Sequence, residues 1–306
     1  MNPNSCVTVG TYDGVHIAHQ EILRKLVAAA RRRNGRSVVL TFDPHPREVL
    51  SKKNEPFEIL TTLSERMDLF KEFGIDIAVV VKFDEEFARQ SFEDFYKKYI
   101  IDGIGAAEVY EGPDHRFGRD REGDIETLKM LGMQYHFSVH LLEPVAVNGL
   151  LVGSSRLRSI LHLGEVDAAS KLLGRPYAIS GIVVEGDKRG HALGYPTANL
   201  LPDSARKLIP ADGIYLTKAV IGSRLFYGLT SIGVRPTFYT AGKRLVETHI
   251  LNFDENLYGA SMTVRMLQRL RDEMKFYNVN DLIEQMNRDK KKSQELIKEL
   301  ETETHV

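Results

Sequence analysis

The sequence has few features of a secreted or membrane-bound protein. Its 306 residues include a single cysteine, Cys6, which excludes an internal disulfide and favours a reducing compartment. No window of the sequence approaches the roughly 18 consecutive apolar residues that a membrane-spanning helix needs. No charged segment followed by an apolar stretch stands near the N-terminus, so we expect no signal peptide. These absences predict a cytoplasmic location.

An excess of charge of one sign is also missing. The 41 Lys and Arg residues nearly balance 42 Asp and Glu residues, which gives a formal net charge of -1. This balance argues against bulk nucleic-acid binding and against a polybasic membrane anchor. We therefore expect neither nucleic acid nor a membrane as a partner, and the sequence leaves the oligomeric state open.

The chain length favours two domains, and the two halves of the sequence differ in pattern. In the first half, strand and helix patterns alternate, which predicts a parallel, doubly wound (Rossmann-like) α/β sheet. A capping box at Thr62 and Glu65 opens one helix, and Gly132 is expected to close another. The apolar run 75–81 is typical of a strand buried on both faces. The predicted strands are 6–9, 37–42, 75–81 and 107–110, with helices at 16–33, after Thr62 and around 124–131.

The second half has successive strands with little helix between them. This pattern predicts an antiparallel barrel or sandwich, followed by a terminal helix. A two-residue hairpin turn with glycine first is expected at 221–224. We place the two domains at residues 1–172 and 176–306. The predicted strands are 177–185, 214–221, 225–232, 245–253 and 262–267.

The first strand runs directly into a glycine-containing turn and a helix start. The free N–H groups of such a helix start bind anions, and Gly10 lets the backbone approach a ligand closely. His16 and His19 share one helical face, where imidazole donors can hold triphosphate oxygens. Asp13 belongs to the same candidate nucleotide site. One alternative is a pair of surface histidines on a helix. A zinc site is less favoured, because no cysteine lies nearby in the sequence to complete a tetrahedral set of ligands.

A serine-arginine segment at 152–158 suits phosphate binding. Hydroxyls of Ser154 and Ser155 lie close in sequence to Arg158, whose guanidinium offers a fixed fork of charge. An ordinary helix N-cap explains the serines equally well.

A glycine-rich loop in the second half carries two cations. Backbone N–H groups and positive charge in such a loop can wrap phosphates. Thr197 and Asn199 stand two apart in an extended segment, so both point to one side. Their oxygens are hard ligands that suit Mg²⁺ shared with ATP, although a simple turn is the alternative. The candidate phosphate-binding residues of the loop are Gly186, Lys188, Arg189 and Gly194.

Glu247 lies in an otherwise apolar strand at 245–250. A carboxylate in that setting favours a general-base role toward a substrate hydroxyl. An outward-facing strand residue without a catalytic role is the alternative.

The two early segments resemble the nucleotidyltransferase superfamily, with its HxGH and serine-rich, arginine-ending signatures. The stretches 41–46 and 112–118 are similar to the bacterial FAD synthetase family. The resemblance implies that the first domain adenylylates FMN with ATP and releases pyrophosphate, with His16, His19 and Arg158 as catalytic residues and Asp114 at the flavin. The chain departs from the family pattern at Ala18, His115 and Gly153.

The segment Pro196–Asn199 resembles riboflavin kinase, as do residues 252–259 and 271–276. This resemblance implies a small β-barrel in which Thr197 and Asn199 hold Mg-ATP. Glu247 would take the proton from the riboflavin 5′-hydroxyl, and Arg271 would contact the flavin.

The order of the motifs is that of the bifunctional bacterial enzymes of this family. The resemblance therefore implies that riboflavin, FMN, FAD and ATP are the small-molecule substrates and products. Two alternatives stay open: a relative with only one of the two activities, and a flavin-binding regulator without catalysis.

Overall fold

The computed structural model describes residues 4–51, 57–113, 118, 123–186, 195–234 and 244–304. The chain folds into two compact units, Met1–Ser154 and Ser155–Val306. The domain limits expected from the sequence, 1–172 and 176–306, stay a prediction. No helix within the described ranges is long and apolar enough to cross a membrane.

The first unit contains a five-stranded parallel sheet with the strand order β3-β2-β1-β4-β5. The predicted Rossmann-like α/β fold is therefore confirmed. In chain order the elements are β1 (Ser5–Val9), α1 (Ile17–Arg32), β2 (Arg36–Asp43), α2 (Pro46–Leu50), α3 (Leu63–Glu72), β3 (Ile77–Lys82), a 3₁₀ turn (Phe87–Arg89), α4 (Phe92–Phe95), a π-helical segment (Tyr96–Ile104), β4 (Ala106–Glu111), α5 (Ile125–Tyr135), β5 (Ser138–Leu141) and the short strands β6 (Ala146–Val147) and β7 (Leu150–Leu151).

Both faces of this sheet are covered by apolar side chains. Cys6 packs with the buried face of α1, whereas its neighbour Val7 packs with the aromatic cluster of the opposite face. The alternation follows from the two-residue repeat of a strand. Cys6 is fully buried, and burial raises the pKa of its thiol to about 11. Cys6 is thus a core residue.

Two expectations about the first unit are wrong. The apolar run 75–81 predicts a strand buried on both faces, but β3 is an edge strand and most of its residues are not buried. An edge strand has a neighbour on one side only, so its apolar sequence does not imply full burial. Gly132 does not close α5, which continues to Tyr135 and ends at His136 in the left-handed region. Gly132 is instead required by packing, because a Cβ there would lie 2.7 Å from the Phe137 carbonyl oxygen.

The second unit is a closed, six-stranded antiparallel barrel followed by a long helix. Its strand order is β10-β11-β12-β9-β8-β13, so the predicted barrel is confirmed. From the boundary between the units onward, the elements are α6 (Ser154–His162), α7 (Val166–Leu173), β8 (Tyr177–Val184), β9 (Ala198–Pro202), β10 (Gly213–Ile221), β11 (Arg224–Val234), β12 (Arg244–Ile250), β13 (Ser261–Arg271) and α8 (Val279–Thr304).

The barrel interior contains a short chain of hydroxyls. Thr217 and Thr230 are hydrogen-bonded at 2.8 Å, and Thr230 and Thr248 at 2.9 Å, on three consecutive strands. All three side chains are fully buried, and their mutual bonds offset the cost of removing hydroxyls from water. The predicted hairpin between β10 and β11 is also present, with Gly222 at φ 58°.

Candidate active sites

The first candidate site lies where β1 leads into α1. His16 is the N-cap of α1, and its Nδ1 accepts a hydrogen bond from the backbone N–H of His19 at 3.3 Å. The two imidazole rings stack with centroids 3.6 Å apart and planes 13° from parallel. The structure thus brings the two predicted histidines together at the start of the helix.

The electrostatics of this helix start favour an anion. The first turn of α1 contains no acidic residue that would compete with a bound anion for the positive end of the helix dipole. Since Nδ1 of His16 accepts a bond, a neutral His16 carries its proton on Nε2 and is a donor there. The turn can therefore offer backbone and imidazole N–H groups to a phosphate.

Gly10 and Asp13 have packing roles in this turn. A Cβ on Gly10 would lie 3.1 Å from the ring of Tyr12, so glycine makes room for that buried ring. The carboxylate of Asp13 is buried and accepts from the backbone N–H groups of Leu60 (2.9 Å) and Thr61 (3.0 Å). Asp13 therefore fixes the turn to the segment that opens α3, and its predicted nucleotide-binding role stays a prediction.

The serine-arginine segment begins at the same turn. The hydroxyl of Ser154, the first residue of α6, donates to the backbone carbonyl oxygen of Asp13 at 2.8 Å. Ser155 is exposed and Arg158 is half-buried further along α6. The contact of Ser154 links the two sequence motifs, whereas phosphate binding by Ser154, Ser155 and Arg158 stays a prediction.

Arg66 of α3 is a central contact of this region that the sequence motifs do not indicate. It is 3% exposed, and its Nη1 donates to the Thr11 carbonyl oxygen (2.8 Å), Thr41 Oγ1 (2.9 Å) and the Phe42 carbonyl oxygen (3.1 Å). Burial lowers the pKa of its guanidinium, against the attraction of nearby carboxylates, Asp13 first among them. Arg66 therefore ties the turn after β1 to the end of β2.

A sequence signal for Arg66 does exist. It stands four residues before Phe70 on the buried face of α3, where an apolar residue is the usual choice. A charge at such a position is rarely buried without hydrogen-bonding partners, so it indicates a structural or functional contact.

The second candidate site lies on the outer surface of the barrel. Asn199 of β9 pairs with Val184 of β8 on one side and with Glu247 of β12 on the other, and Glu247 pairs with Ser231 of β11. Directly paired residues of antiparallel strands point to the same face, with Cβ atoms about 4.5–5.5 Å apart. Their sequence neighbours are buried in the barrel, so Asn199 and Glu247 face outward together.

Gly186 lies against the amide of Asn199. A Cβ at this position would be 2.2 Å from Asn199 Nδ2, so only glycine allows the loop after β8 to pass so close. Gly186, the described residue of the predicted phosphate-binding set of this loop, is therefore in contact with a predicted magnesium ligand. Oxygens of Thr197, Asn199 and Glu247 are hard donors, which suit Mg²⁺. In the described ranges, no group of three or more His, Cys, Asp or Glu residues could hold a metal ion.

Arg271, predicted at the flavin, docks the terminal helix. Its Nε and Nη2 donate to both carboxylate oxygens of Asp289 on α8, at 2.7–3.0 Å, and its Nη1 donates to the Asp272 carbonyl oxygen. Such a bidentate, largely buried pair is strong and directional. The flavin role of Arg271 stays a prediction. Four other predicted site residues lie outside the described ranges: Asp114, Lys188, Arg189 and Gly194.

Comparison with known proteins assigns each half of the chain to a family. The FAD synthetase family matches residues 1–156, and the riboflavin kinase family matches residues 173–297. Both matches follow the order of the motifs in the sequence.

Relatives match nearly the whole chain. A protein of Buchnera aphidicola subsp. Schizaphis graminum named bifunctional riboflavin kinase/FMN adenylyltransferase is 38% identical over 94% of this chain and 93% of its own. The protein of the same name from Bacillus subtilis is 32% identical over 94% and 91%. A solved structure from Streptococcus pneumoniae, titled macrolide-efflux protein, is 32% identical with a TM-score of 0.87, and the match covers 96% of this chain and 95% of that one.

Proposed function

Because the chain belongs to the family of bifunctional riboflavin kinase/FMN adenylyltransferases, we propose that it makes FAD from riboflavin in two ATP-dependent steps. The C-terminal domain, residues 176–306, phosphorylates riboflavin to FMN, and the N-terminal domain, residues 1–172, transfers AMP from ATP to FMN. The observation that carries the proposal is the pairing of Asn199 with Glu247 on one barrel face, with Gly186 against the Asn199 amide.

In the kinase step, Glu247 acts as the general base. It takes the proton of the riboflavin 5′-hydroxyl while that oxygen attacks the γ-phosphorus of ATP and the bond to the β-phosphate oxygen breaks. ADP leaves and FMN remains. Thr197 and Asn199 would hold Mg-ATP, and the ion would neutralise charge on the phosphates when bound. The loop after β8, with Gly186, Lys188, Arg189 and Gly194, would wrap the phosphates.

In the adenylyl step, a phosphate oxygen of FMN attacks the α-phosphorus of ATP, and pyrophosphate leaves. No protein nucleophile is needed, so catalysis rests on position and charge. His16 and His19, at the start of α1 where the first turn has no acidic residue, donate hydrogen bonds to the phosphates. Arg158 adds a fixed positive charge, with Ser154 and Ser155 as hydroxyl donors.

A time course tests the proposal directly. The purified chain is incubated with riboflavin, ATP and Mg²⁺, and flavins are separated by chromatography. We expect FMN to rise first and FAD to follow, with pyrophosphate released only in the second step. FMN without FAD would indicate a kinase alone, FAD from supplied FMN without riboflavin phosphorylation would indicate an adenylyltransferase alone, and no turnover would favour the regulator.

The proposed substrates and the composition of the chain also support a location in the cytoplasm. A flavin enzyme that uses ATP, with a single buried cysteine and no helix in its described part that could span a membrane, suits the cytoplasm. Fractionation of cells with a marker for the cytoplasm is the corresponding measurement.

A further inference from the structure

His249 lies on the same strand face as Glu247, two residues further along β12. Its Nδ1 is 2.9 Å from the carbonyl oxygen of Pro196, the residue that precedes Thr197. A carbonyl oxygen only accepts hydrogen bonds, so Nδ1 carries the proton and donates it. Both the neutral form with this tautomer and the charged form of the ring make this bond.

The backbone ladder does not fix Thr197. The pairing of β9 with β12 runs from Leu200 to Ala198 and stops there. Pro196 has no N–H group with which to extend a ladder. Beyond Ala198, where the backbone hydrogen bonds to β12 end, the side chain of His249 therefore holds this segment to β12.

Tyr195, the residue before Pro196, also contacts His249. Its ring meets the His249 ring edge-on, with centroids 5.1 Å apart, and its hydroxyl donates to Asn287 Oδ1 of α8 at 2.6 Å. Tyr195 is 9% exposed, so this anchor is largely removed from water. The packing limits the directions that the His249 ring can take, which keeps Nδ1 pointed at Pro196.

We infer that His249 is a positioning residue of the kinase site, which sets the place of Thr197 for Mg-ATP through its bond to the Pro196 carbonyl, beside Asn199, which the ladder already holds. The inference rests on the proposed kinase function. It predicts an effect mainly on ATP use, because the proton transfer to Glu247 does not involve the imidazole.

Three variants distinguish the effect of the hydrogen bond to Pro196 from the effect of the imidazole ring itself. His249→Asn places an amide N–H near the position of Nδ1, His249→Gln places it near Nε2, and His249→Leu removes it. We expect the Leu and Gln variants to raise the KM for Mg-ATP in riboflavin phosphorylation by about 3- to 10-fold, the value of one neutral hydrogen bond. The Asn variant should stay near the wild type.

Internal controls come from the same protein. FAD formation from supplied FMN should be unchanged in every variant, which reports the concentration of active protein, and an unchanged kcat of the kinase step reports a folded barrel. The pH profile of kcat for the kinase step should also be unchanged. The inference is overturned if the Asn variant is as impaired as the Leu variant, if the Leu variant behaves as the wild type, or if the Asn variant shifts the pH profile. A wild-type chain that phosphorylates no riboflavin would instead overturn the proposed function itself, and the inference with it.

Discussion

The two units place their candidate catalytic groups by different means. In the first unit, the candidate histidines lie at the start of the helix after β1, and their positions depend on side-chain contacts: the His16 cap, the Asp13 contacts and the buried Arg66. In the barrel, Asn199 and Glu247 lie within strands, and the register of the ladder sets them side by side.

This difference determines what damages each site. A site built from turns loses its geometry when a supporting contact is removed, even if the catalytic group itself is kept. A site built within strands keeps its geometry as long as the barrel folds, and depends on side contacts only where the ladder ends, as at Pro196. Activities measured separately in one chain can test this contrast.

The largest expected effect is on the strand-built site. Asn199→Ala removes an oxygen ligand proposed for Mg-ATP and the amide that Gly186 packs against. We expect FMN formation from riboflavin to fall below detection while FAD formation from supplied FMN survives. Both rates are measured by chromatography on the same preparation. A parallel loss of both activities in a folded protein would contradict the assignment of separate sites.

The next effect concerns the proposed base. Glu247→Gln keeps the shape of the side chain on the barrel face but cannot accept a proton. General-base catalysis typically contributes a factor of about 10²–10⁴ to the rate. Riboflavin phosphorylation should drop by that order with little change in ATP affinity, measured by initial rates and by ATP titration. Full activity in this variant would make Glu247 a structural residue of β12.

Local patterns in the sequence predict the fold well, because strand alternation, helix caps and hairpin turns depend on near neighbours. The capping box of Thr62 and Glu65 and the turn at Gly222 are both present as predicted. Strand order is not local, so the exposed edge position of β3 could not be inferred from its apolar run. The prediction for Gly132 is wrong for the same reason, because its packing against Phe137 is visible only in three dimensions.

The site residues also differ in whether their contacts are local in the sequence. His16 and His19 are three residues apart, so their shared position at the helix start follows from spacing. Arg66 and His249 act on segments distant in sequence, and nothing near them in the sequence indicates their partners. Resemblance to a family supports the assignments that spacing could not make, including the role of Glu247.

A smaller effect is expected at the turn-built site. His19→Ala or Arg158→Ala removes one donor proposed to meet charge on the leaving pyrophosphate, a loss typically worth about 10²–10³-fold. FAD formation from FMN should slow by that order, whereas riboflavin phosphorylation, assayed in parallel, should be unchanged. The assignment of the adenylyl site fails if the wild type makes FAD readily and neither variant slows it.

The smallest effect concerns Ala18, which stands where the family motif has glycine and occupies the second position of α1, beside the proposed phosphate site. If its methyl group crowds the nucleotide, Ala18→Gly should lower the KM for ATP in the adenylyl step and leave the KM for ATP in the kinase step unchanged. If the turn, held by His16 and Asp13, already makes room for the methyl group, the substitution should bring only a loss of helix stability of about 1 kcal/mol or less. Initial rates at varied ATP, together with thermal unfolding, distinguish the two results. Slower adenylyl transfer with unchanged stability would contradict the crowding explanation, because it would mean that the methyl group contributes to the site.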